Sequence, residues 1–219
     1  MSSAAQGLLF VLGQCEPDVS TKEFNDWYDG EHAPARLTVP GITTAIRYKQ
    51  VDGEKPEWLA LYDLASPETT KSPAYLELRN TASEIEKALI PRLPVLQRRI
   101  YSLIAQSTKP NLPSAALPGK YLLMVLWSVP ADLDAEFING WLRGRRYKIV
   151  DGVDLSVKGK GPTIEGWDYL VMHDWEQGGY METEEFKGAI STPWSAKIKE
   201  RVNGVLLRPF ELHRDFGKP

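Results

Sequence analysis

Residues 8–32 read LLFVLGQCEPDVSTKEFNDWYDGEH, and residues 122–146 read LLMVLWSVPADLDAEFINGWLRGRR. Each stretch begins with an apolar run typical of a buried β-strand and continues into a pattern typical of an amphipathic helix. Trp27 corresponds to Trp141 at an offset of 114 residues (141 − 27), and the glycine three residues further on keeps the same offset. The chain therefore reads as two related copies of one unit.

The similarity continues beyond these two stretches. WLALYDL at 58–64 resembles YLVMHDW at 169–175, at an offset of 111 (169 − 58). Near the end of each copy, RRIYSLI at 98–104 resembles LRPFELH at 207–213, at an offset of 109 (207 − 98). The falling offset predicts short deletions in the second copy, around residues 147–152. Agreement in three places, in the same order, favours an internal repeat over chance matching.

The first helix of the first copy has a recognisable start and a predicted break. Ser20 and Glu23 have the spacing of a capping box, in which each side chain satisfies a free N–H of the helix N-terminus. Gly30 is predicted to end or kink this segment, because glycine suits the left-handed exit of a helix. Pro34 would then begin a short continuation. In the second copy Asp132 is the predicted N-cap.

The rest of the first copy alternates between strand and helix signals. A strand with one alternating face is predicted after Pro40-Gly41, followed by a hairpin turn and a strand over 58–64. A polar helical stretch over 72–89 and a strand over 97–106 complete the unit. The alternating face of the first of these strands contains Ile42, Thr44, Ile46 and Tyr48. The order β-α-β-β-α-β is that of a ferredoxin-like unit.

A ferredoxin-like sheet has helices on one face, so its other apolar face must be covered. Two copies in one chain supply the cover if their sheets pack face to face with the helices outside. The predicted fold is therefore α+β, a pseudo-dimeric α/β barrel formed within one chain. Its repeats span residues 1–106 and 119–219, and a proline-containing linker spans 107–118.

The composition excludes several classes of function. The chain has 219 residues, 42% hydrophobic and 25% charged, with a net charge of −3 and a pI near 5.7. This charge argues against a nucleic-acid partner, and Lys and Arg form no polybasic patch for anionic lipid. No window approaches the roughly 18 apolar residues of a membrane span. With Cys15 as the single cysteine, a cysteine-rich metal site is excluded. We expect a cytoplasmic protein, monomeric or homodimeric, without a membrane partner.

Several motifs in the first copy resemble a known family. W-Y-x-x-E-H-A-P at 27–34, then V-P-G-I, R-Y and W-x-A-L-Y, is similar to EthD-type members of the dimeric α/β-barrel superfamily. The best match covers about residues 7–65. The resemblance implies pockets between each sheet and its helices, and small-molecule chemistry usually without metal or organic cofactor. Relatives include decarboxylases, cyclases and dehydratases of aromatic polyketides, cofactor-free monooxygenases and proteins without known activity. A shared barrel fixes the place of a site better than its reaction.

His32 is the candidate acid/base. Its ordinary pKa near ~6.5 suits proton transfer at neutral pH. Tyr28 lies one helical turn away, so both side chains can face one space. Glu31 could orient the imidazole or act as a base itself. A polar helix C-terminus is the alternative structural interpretation of His32. The second copy has Arg145-Arg146 where the first has Glu31-His32, which predicts one active pocket and a degenerate second site.

The candidate substrate-binding residues are aromatic, apart from one arginine. Tyrosine hydroxyls could donate to an enolate or phenolate oxygen, and an arginine could pair with a substrate carboxylate. Strict alternation, however, places Arg47 on the opposite face from Tyr48. His173 could serve a second pocket or be a core residue. The full predicted set is Trp27, Phe10, Tyr48, Tyr62, Trp58 and Arg47.

The sequence favours a cofactor-independent enzyme acting on a small aromatic or polyketide-like molecule in secondary metabolism. His32 would catalyse proton transfer in a decarboxylation, dehydration, cyclisation or isomerisation, a lyase-, cyclase- or isomerase-type reaction. A non-catalytic carrier of an apolar ligand is the alternative, and a cofactor-free monooxygenase or haem-binding relative of the same barrel is another. No H-x-x-x-H, G-x-S-x-G, P-loop or dinucleotide motif is present, so we expect no metal and no cofactor.

Overall fold

A computed structural model describes residues 6–108, 110–128, 144–155 and 166–217. The strands form one closed antiparallel barrel, in the order β1-β3-β2-β8-β5-β7-β6-β4. The strands are β1 Gly7–Gln14, β2 Ile46–Gln50, β3 Trp58–Leu64, β4 Val95–Ser107, β5 Tyr121–Ser128, β6 Gly144–Asp154, β7 Tyr169–Trp175 and β8 Gly204–Asp215. The α-helices within the described residues are α1 Thr21–Trp27, α2 Ala33–Leu37, α3 Pro73–Asn80, α4 Glu84–Leu89, α5 Glu184–Ile190 and α6 Pro193–Arg201.

Each half of the chain contributes four neighbouring strands. The first half has the order β4-β1-β3-β2 and the second β8-β5-β7-β6, which is the order of a ferredoxin-like unit. Pairing of β2 with β8 and of β4 with β6 joins the two sheets into a closed barrel. Closure leaves none of the described strands at an open sheet edge. The predicted α+β fold, an intrachain pseudo-dimeric α/β barrel, is confirmed.

Strand alternation divides the core into an inside and an outside. On β1, Leu8, Phe10 and Leu12 face the barrel interior. The alternate residues, Leu9 and Val11, pack against the helices of the first half. A separate outer core in the second half includes Val171 and Ile198. A site between sheet and helices is therefore separated from the barrel interior by the sheet itself.

The structure corrects the alignment of the two copies. Gly144–Asp154 is a strand, so Arg145-Arg146 do not occupy the place of the helical Glu31-His32. The sequence Arg-Tyr-Lys instead recurs at 47–49 and 146–148, at an offset of 99 (146 − 47). Arg47 pairs with Ala60, and Arg146 pairs with Val171, at equivalent positions of β3 and β7. The deletion expected at 147–152 is therefore wrong, because those residues lie within β6. The helix with Asp132 as its N-cap lies outside the described residues.

Two further expectations differ in detail. The strand predicted after Pro40-Gly41 begins only at Ile46, and Ile42 makes an isolated bridge to Leu64. Ile42 packs with the helices whereas Ile46 faces the barrel interior, so they do not share one face. The helical stretch predicted over 72–89 is two helices, α3 and α4, because Ser83 caps a second start.

Ionic clusters lie inside the barrel. Arg208 Nε is 2.6 Å from Asp52 Oδ2, and its guanidinium also donates to the carbonyls of residues 54–56. Arg145 lies between Asp63, at 3.5 Å, and Asp174, at 3.2 Å. Both arginines are on strand faces that point inward, so these pairs hold residues of the two halves together across the barrel.

Candidate active site

The first helix continues through Gly30 as a π-helical turn over Tyr28–His32. The backbone N–H of Ala33 donates to the carbonyl of Tyr28, five residues earlier. Gly30 does not have a positive φ, so the predicted left-handed exit at this glycine is wrong. Pro34 does begin a short continuation, in the first turn of α2. The extra residue of a π-turn changes the direction of the side chains that follow, and such turns are frequent at functional sites.

This turn buries both Tyr28 and His32, as the spacing predicts. The two ring centroids are 4.8 Å apart, and the Trp27 ring centroid is 4.5 Å from that of His32. Ser20 accepts a hydrogen bond from the backbone of Glu23, which confirms the N-cap. The Glu23 carboxylate binds Arg92 rather than closing a capping box. Ser20 thus fixes the start of α1, and the end of this helix places Trp27 and Tyr28 against the imidazole.

Glu86 of α4 is the partner of His32. Its Oε2 lies 2.8 Å from His32 Nδ1 and accepts a hydrogen bond from Trp27 Nε1 at 3.3 Å. Arg36 approaches the other carboxylate oxygen, at 3.7 Å. Ser83, the N-cap of α4, accepts from the Glu86 backbone N–H and so fixes the first turn of that helix. Since the carboxylate can only accept, Nδ1 of a neutral imidazole carries the hydrogen and Nε2 remains an acceptor.

Burial governs the charge state of this pair. Burial, together with the positive charge of Arg36, lowers the pKa of His32 to about 4, although Glu86 acts to raise it. Burial would raise the pKa of Glu86, but hydrogen bonding and attraction to His32 and the charge of Arg36 outweigh it and lower that pKa. At neutral pH the pair is therefore a carboxylate and a neutral imidazole. This is the state of an imidazole that can accept a proton.

Two tyrosines extend the cluster on the same face of the sheet. Tyr62 of β3 donates to the hydroxyl of Tyr28 at 3.1 Å, and both side chains are buried. Burial raises the pKa of each phenol, so both remain protonated at neutral pH. The Tyr28 hydroxyl accepts from Tyr62 and keeps its own hydrogen for another acceptor.

Arg47 of β2 lies beneath the tyrosine layer. Its guanidinium carbon is 4.4 Å from the centroid of the Tyr28 ring and 4.5 Å from that of Trp58. Its Nη1 binds the carboxylate of Asp29 in the π-turn. Asp29 in turn lies 3.0 Å from Nε2 of His213, on β8 of the other half. The His213 ring, although exposed, is held by Asp29 and by an edge contact with Trp58.

The structure brings together most, but not all, of the predicted residues. His32, Tyr28, Trp27, Tyr62, Trp58 and Arg47 share the helix-facing side of the first sheet. Phe10 and Tyr48 instead face the barrel interior, where Tyr48 donates to the carbonyl of Gly119. They are not neighbours of His32, because successive strand residues point to opposite faces.

Glu31 lies at the outer edge of the cluster. Its carboxylate accepts from Ser83 Oγ rather than orienting the imidazole. Glu31 and Trp27 line a groove of about 350 Å³ between α1 and α4, together with the exposed Ile85. Trp27 therefore contacts both this groove and His32.

Other chemistry-bearing groups lie elsewhere. His173 is on β7 of the second half, and burial lowers its pKa to about 4. Within the described ranges, no group of three or more His, Cys, Asp and Glu residues has the arrangement of a metal site. In the same part of the chain, no helix is long and apolar enough to cross a membrane.

Comparisons with known proteins identify the fold. Comparison with protein-family models and with curated protein sequences gives no match. Among solved structures, an anthrone oxidase-like protein matches with a TM-score of 0.62 at 11% identity, covering 98% of this chain and 93% of the other. A protein from Fusobacterium nucleatum that carries the name monooxygenase matches with a TM-score of 0.56 at 12% identity, over 98% and 95%.

A third similar structure, also carrying the name monooxygenase, comes from Lactobacillus acidophilus. It matches with a TM-score of 0.53 at 7% identity, covering 97% of this chain and 96% of the other. Likeness at such low identity concerns the fold, and the narrower EthD-type resemblance stays a prediction. The chain has the dimeric α/β-barrel fold, with both halves of the barrel supplied by one polypeptide.

Proposed function

We propose that this protein is a cofactor-independent enzyme in which His32 removes a proton from a small aromatic or polyketide-like molecule. The observation that carries the proposal is the buried pair of His32 Nδ1 and Glu86 Oε2, 2.8 Å apart. A carboxylate that holds one imidazole nitrogen fixes the tautomer and stabilises the imidazolium formed when the other nitrogen takes a proton. The aromatic rings around the pair suit a flat substrate.

The proton transfer proceeds from an acidic C–H or O–H of the substrate to Nε2 of His32. The electrons left behind form an enolate or phenolate, whose oxygen can accept the hydrogen of Tyr28. Arg36 and Arg47 lie close enough to Tyr28 to lower its pKa against the effect of burial, so they favour negative charge at the same place. The imidazolium then returns the proton to the substrate at another atom or to a leaving group. Decarboxylation, dehydration, cyclisation and isomerisation can all use this step.

The groove beside Trp27 is the proposed approach for the substrate. It is lined by Trp27, whose ring contacts His32, and by the exposed Ile85. The other lining residues are polar and include Lys22, Glu23, Asp26 and Glu31. His32 itself is 7% exposed and is not a lining residue of the groove. A shift of the Trp27 ring would therefore bring substrate and imidazole into contact, at the cost of its hydrogen bond to Glu86.

Reaction of the carbanion with O2 is a second candidate. It is favoured by the names of the similar structures, an anthrone oxidase-like protein and two monooxygenases. In such a reaction a substrate CH2 group and O2 give a C=O group and water. The step that His32 performs is the same in both cases, and the fate of the carbanion differs.

Deuterium exchange tests the shared step directly. Anthrone in D2O without oxygen would be followed by NMR at its CH2 protons, with and without the protein. We expect the protein to accelerate exchange and His32→Gln to reduce the acceleration by at least ~10²-fold, the lower range for a positioned acid/base. The matched control is His173→Gln, which changes a histidine on β7 of the second half, outside the His32 cluster, and should retain most of the rate.

Repeating the assay with oxygen separates the two candidates. Oxygen consumption matched to loss of anthrone would favour the oxidase, and exchange without oxygen uptake would favour the non-oxidative reactions. Wild-type exchange rates in His32→Gln would disprove the role of His32. Tight binding of anthrone without exchange would favour the carrier of an apolar ligand.

A further inference from the structure

Buried N–H donors without acceptors lie next to the catalytic cluster. Nε and Nη2 of Arg47 and Nε1 of Trp58 are buried and have no hydrogen-bond partner in the part of the chain that the structure describes. The two side chains are in contact, with the guanidinium carbon 4.5 Å from the Trp58 ring centroid. An unpaired buried donor costs roughly 1–3 kcal/mol, and more for a charged group. Three such donors on two touching side chains are available to one common acceptor.

The free atoms of Arg47 have a specific geometry. Nη1 is occupied by Asp29, whereas Nε and Nη2 lie side by side along one edge of the planar guanidinium. Two parallel N–H groups on one edge match the two oxygens of a carboxylate. The arginine is 1% exposed, so such a pair would form out of contact with bulk water. A single hydroxyl or carbonyl oxygen would satisfy this edge less completely.

The surrounding charge also favours an anion. Asp29 is shared by three cationic or basic groups, Arg47, His213 and Arg214. Lys49 Nζ lies 5.6 Å from the centroid of the Trp58 ring, on the same side chain that contacts Arg47. Because the single negative charge of Asp29 is shared among these basic groups, it does not neutralise all of them. The remaining positive charge favours an acidic ligand.

We propose that Arg47 and Trp58 bind a carboxylate of the aromatic substrate, Arg47 through Nε and Nη2 and Trp58 through its indole N–H. This inference rests on the proposed function and specifies its substrate class, an aromatic acid. Tyr28 contacts the guanidinium on one side and the His32 ring on another, so an acid anchored at Arg47 would place its ring system toward the imidazole. The carboxylate is then an anchor, and the proton comes from another atom of the substrate.

Binding of a matched acid and amide tests this proposal without turnover. The probes are 2-naphthoate and 2-naphthamide, which differ in charge but little in shape, and calorimetry gives the affinity of each. We expect wild type to bind the acid at least ~10-fold more tightly than the amide, which corresponds to about 1.4 kcal/mol. Arg47→Met should abolish this preference. Arg47→Lys should weaken it, because an ammonium is a point charge without the planar fork.

Two control variants keep the outcomes distinct. Arg99 is a second fully buried arginine, but it faces the barrel interior over Phe10, so Arg99→Met should lower stability and keep the acid preference. His32→Gln should also keep the preference for the acid. Failure of the catalytic role of His32 can therefore be distinguished from failure of the carboxylate site. Equal affinities of wild type for acid and amide, or a preference that survives in folded Arg47→Met, would overturn the proposal. If Arg47→Met does not fold, the wild-type comparison and Arg47→Lys still decide.

Discussion

The carboxylate of Glu86 and the imidazole of His32 are 2.8 Å apart in space and 54 residues apart in the chain. Each comes from a separate helical segment on the outer face of the first sheet. The orientation of the imidazole therefore depends on how α4 packs against the π-helical turn, and not on the residues next to His32. Trp27 donates to the same oxygen of Glu86, so one carboxylate fixes two neighbouring rings.

Glu86→Gln should reduce proton-transfer activity by roughly 10²-fold, because a positioned acid/base contributes about that much or more and the amide does not stabilise an imidazolium. Since Glu86 acts to raise the pKa of His32, the substitution should lower that pKa further below about 4. Deuterium exchange of anthrone measures the first effect, and NMR titration of the imidazole measures the second.

Glu84→Gln is the matched control for this variant. Glu84 lies on the same helix, is exposed and pairs with Lys87, so it should change neither activity nor the titration of His32. A Glu86→Gln protein with full activity would show that the pair is structural.

The free energy of unfolding should decrease in mild acid, at pH values where the protein is still folded. His32 has a pKa of about 4 in the folded protein against about 6.5 when unfolded, so between these values the unfolded chain binds a proton that the folded chain does not. The free energy of unfolding therefore falls as pH falls from 6.5 to 4, by about 3.5 kcal/mol for this residue at ~1.4 kcal/mol per unit. His173, whose pKa is also about 4, acts over the same pH range, and Glu86, whose pKa is lowered from about 4.5, acts in the same direction only at lower pH.

Urea unfolding at pH 7.5, 6 and 5 measures this dependence. In His32→Gln the slope should become smaller, and the remaining slope should fall again when His173→Gln is added. A His32 imidazole that titrates near 6.5 in the folded protein would contradict the prediction.

Two glycines of the first half should respond oppositely to alanine. Gly41 has a φ of +93°, and a Cβ there would lie 3.1 Å from Thr69 Oγ1, so Gly41→Ala should lower stability by about 1 kcal/mol or more. Gly30 lies in the helical turn, and a Cβ added to it would meet no atom within 4 Å, so Gly30→Ala should raise stability by about 0.5–1 kcal/mol. Thermal unfolding of both variants measures the difference. A destabilised Gly30→Ala protein would argue against a continuous helix through this turn.

Arg208→Met should be strongly destabilising. The arginine pairs with Asp52 through two nitrogens and donates to three backbone carbonyls, all of them in the β2–β3 connection of the other half. Removing one partner of a buried pair costs about 3–5 kcal/mol, because the remaining charge stays buried. Lys71→Met, which breaks an exposed pair with Glu68, should cost no more than about 1 kcal/mol. Urea unfolding of the two variants provides the test, and equal losses would contradict it.

Local signals predicted much of the fold. The strand expected at 58–64 has those bounds in the structure, because it is an apolar run that follows clear turn residues. Ser20 was identifiable as an N-cap from its residue type and its spacing to Glu23. The closed barrel followed from two ferredoxin-like units, each with one apolar face to cover.

The features that the sequence did not predict depend on tertiary packing, and the pairing of Glu86 with His32 is the main example. Glu86 lies in a polar helix among other charged residues, and nothing in its neighbours distinguishes it from Glu84. The match of Trp27 with Trp141 also suggested that the helical alignment of the two copies extends to Arg146, whereas Arg146 lies in β6. The repeated Arg-Tyr-Lys was the signal that could have corrected this alignment. It occurs at equivalent positions of β2 and β6, because Arg47 pairs with Ala60 of β3 and Arg146 pairs with Val171 of β7.

The closure of the barrel constrains how the chain is made. During synthesis, β2 and β4 emerge before β6 and β8, so the first half is complete while both of its outer strands still lack partners. Until the later strands arrive, the inner face with Phe10, Tyr48 and Tyr101 is open to solvent and to other nascent chains. Tethering raises the effective concentration of the second half far above that of a free subunit. Joining the halves in one polypeptide thus replaces a bimolecular encounter with an intramolecular one.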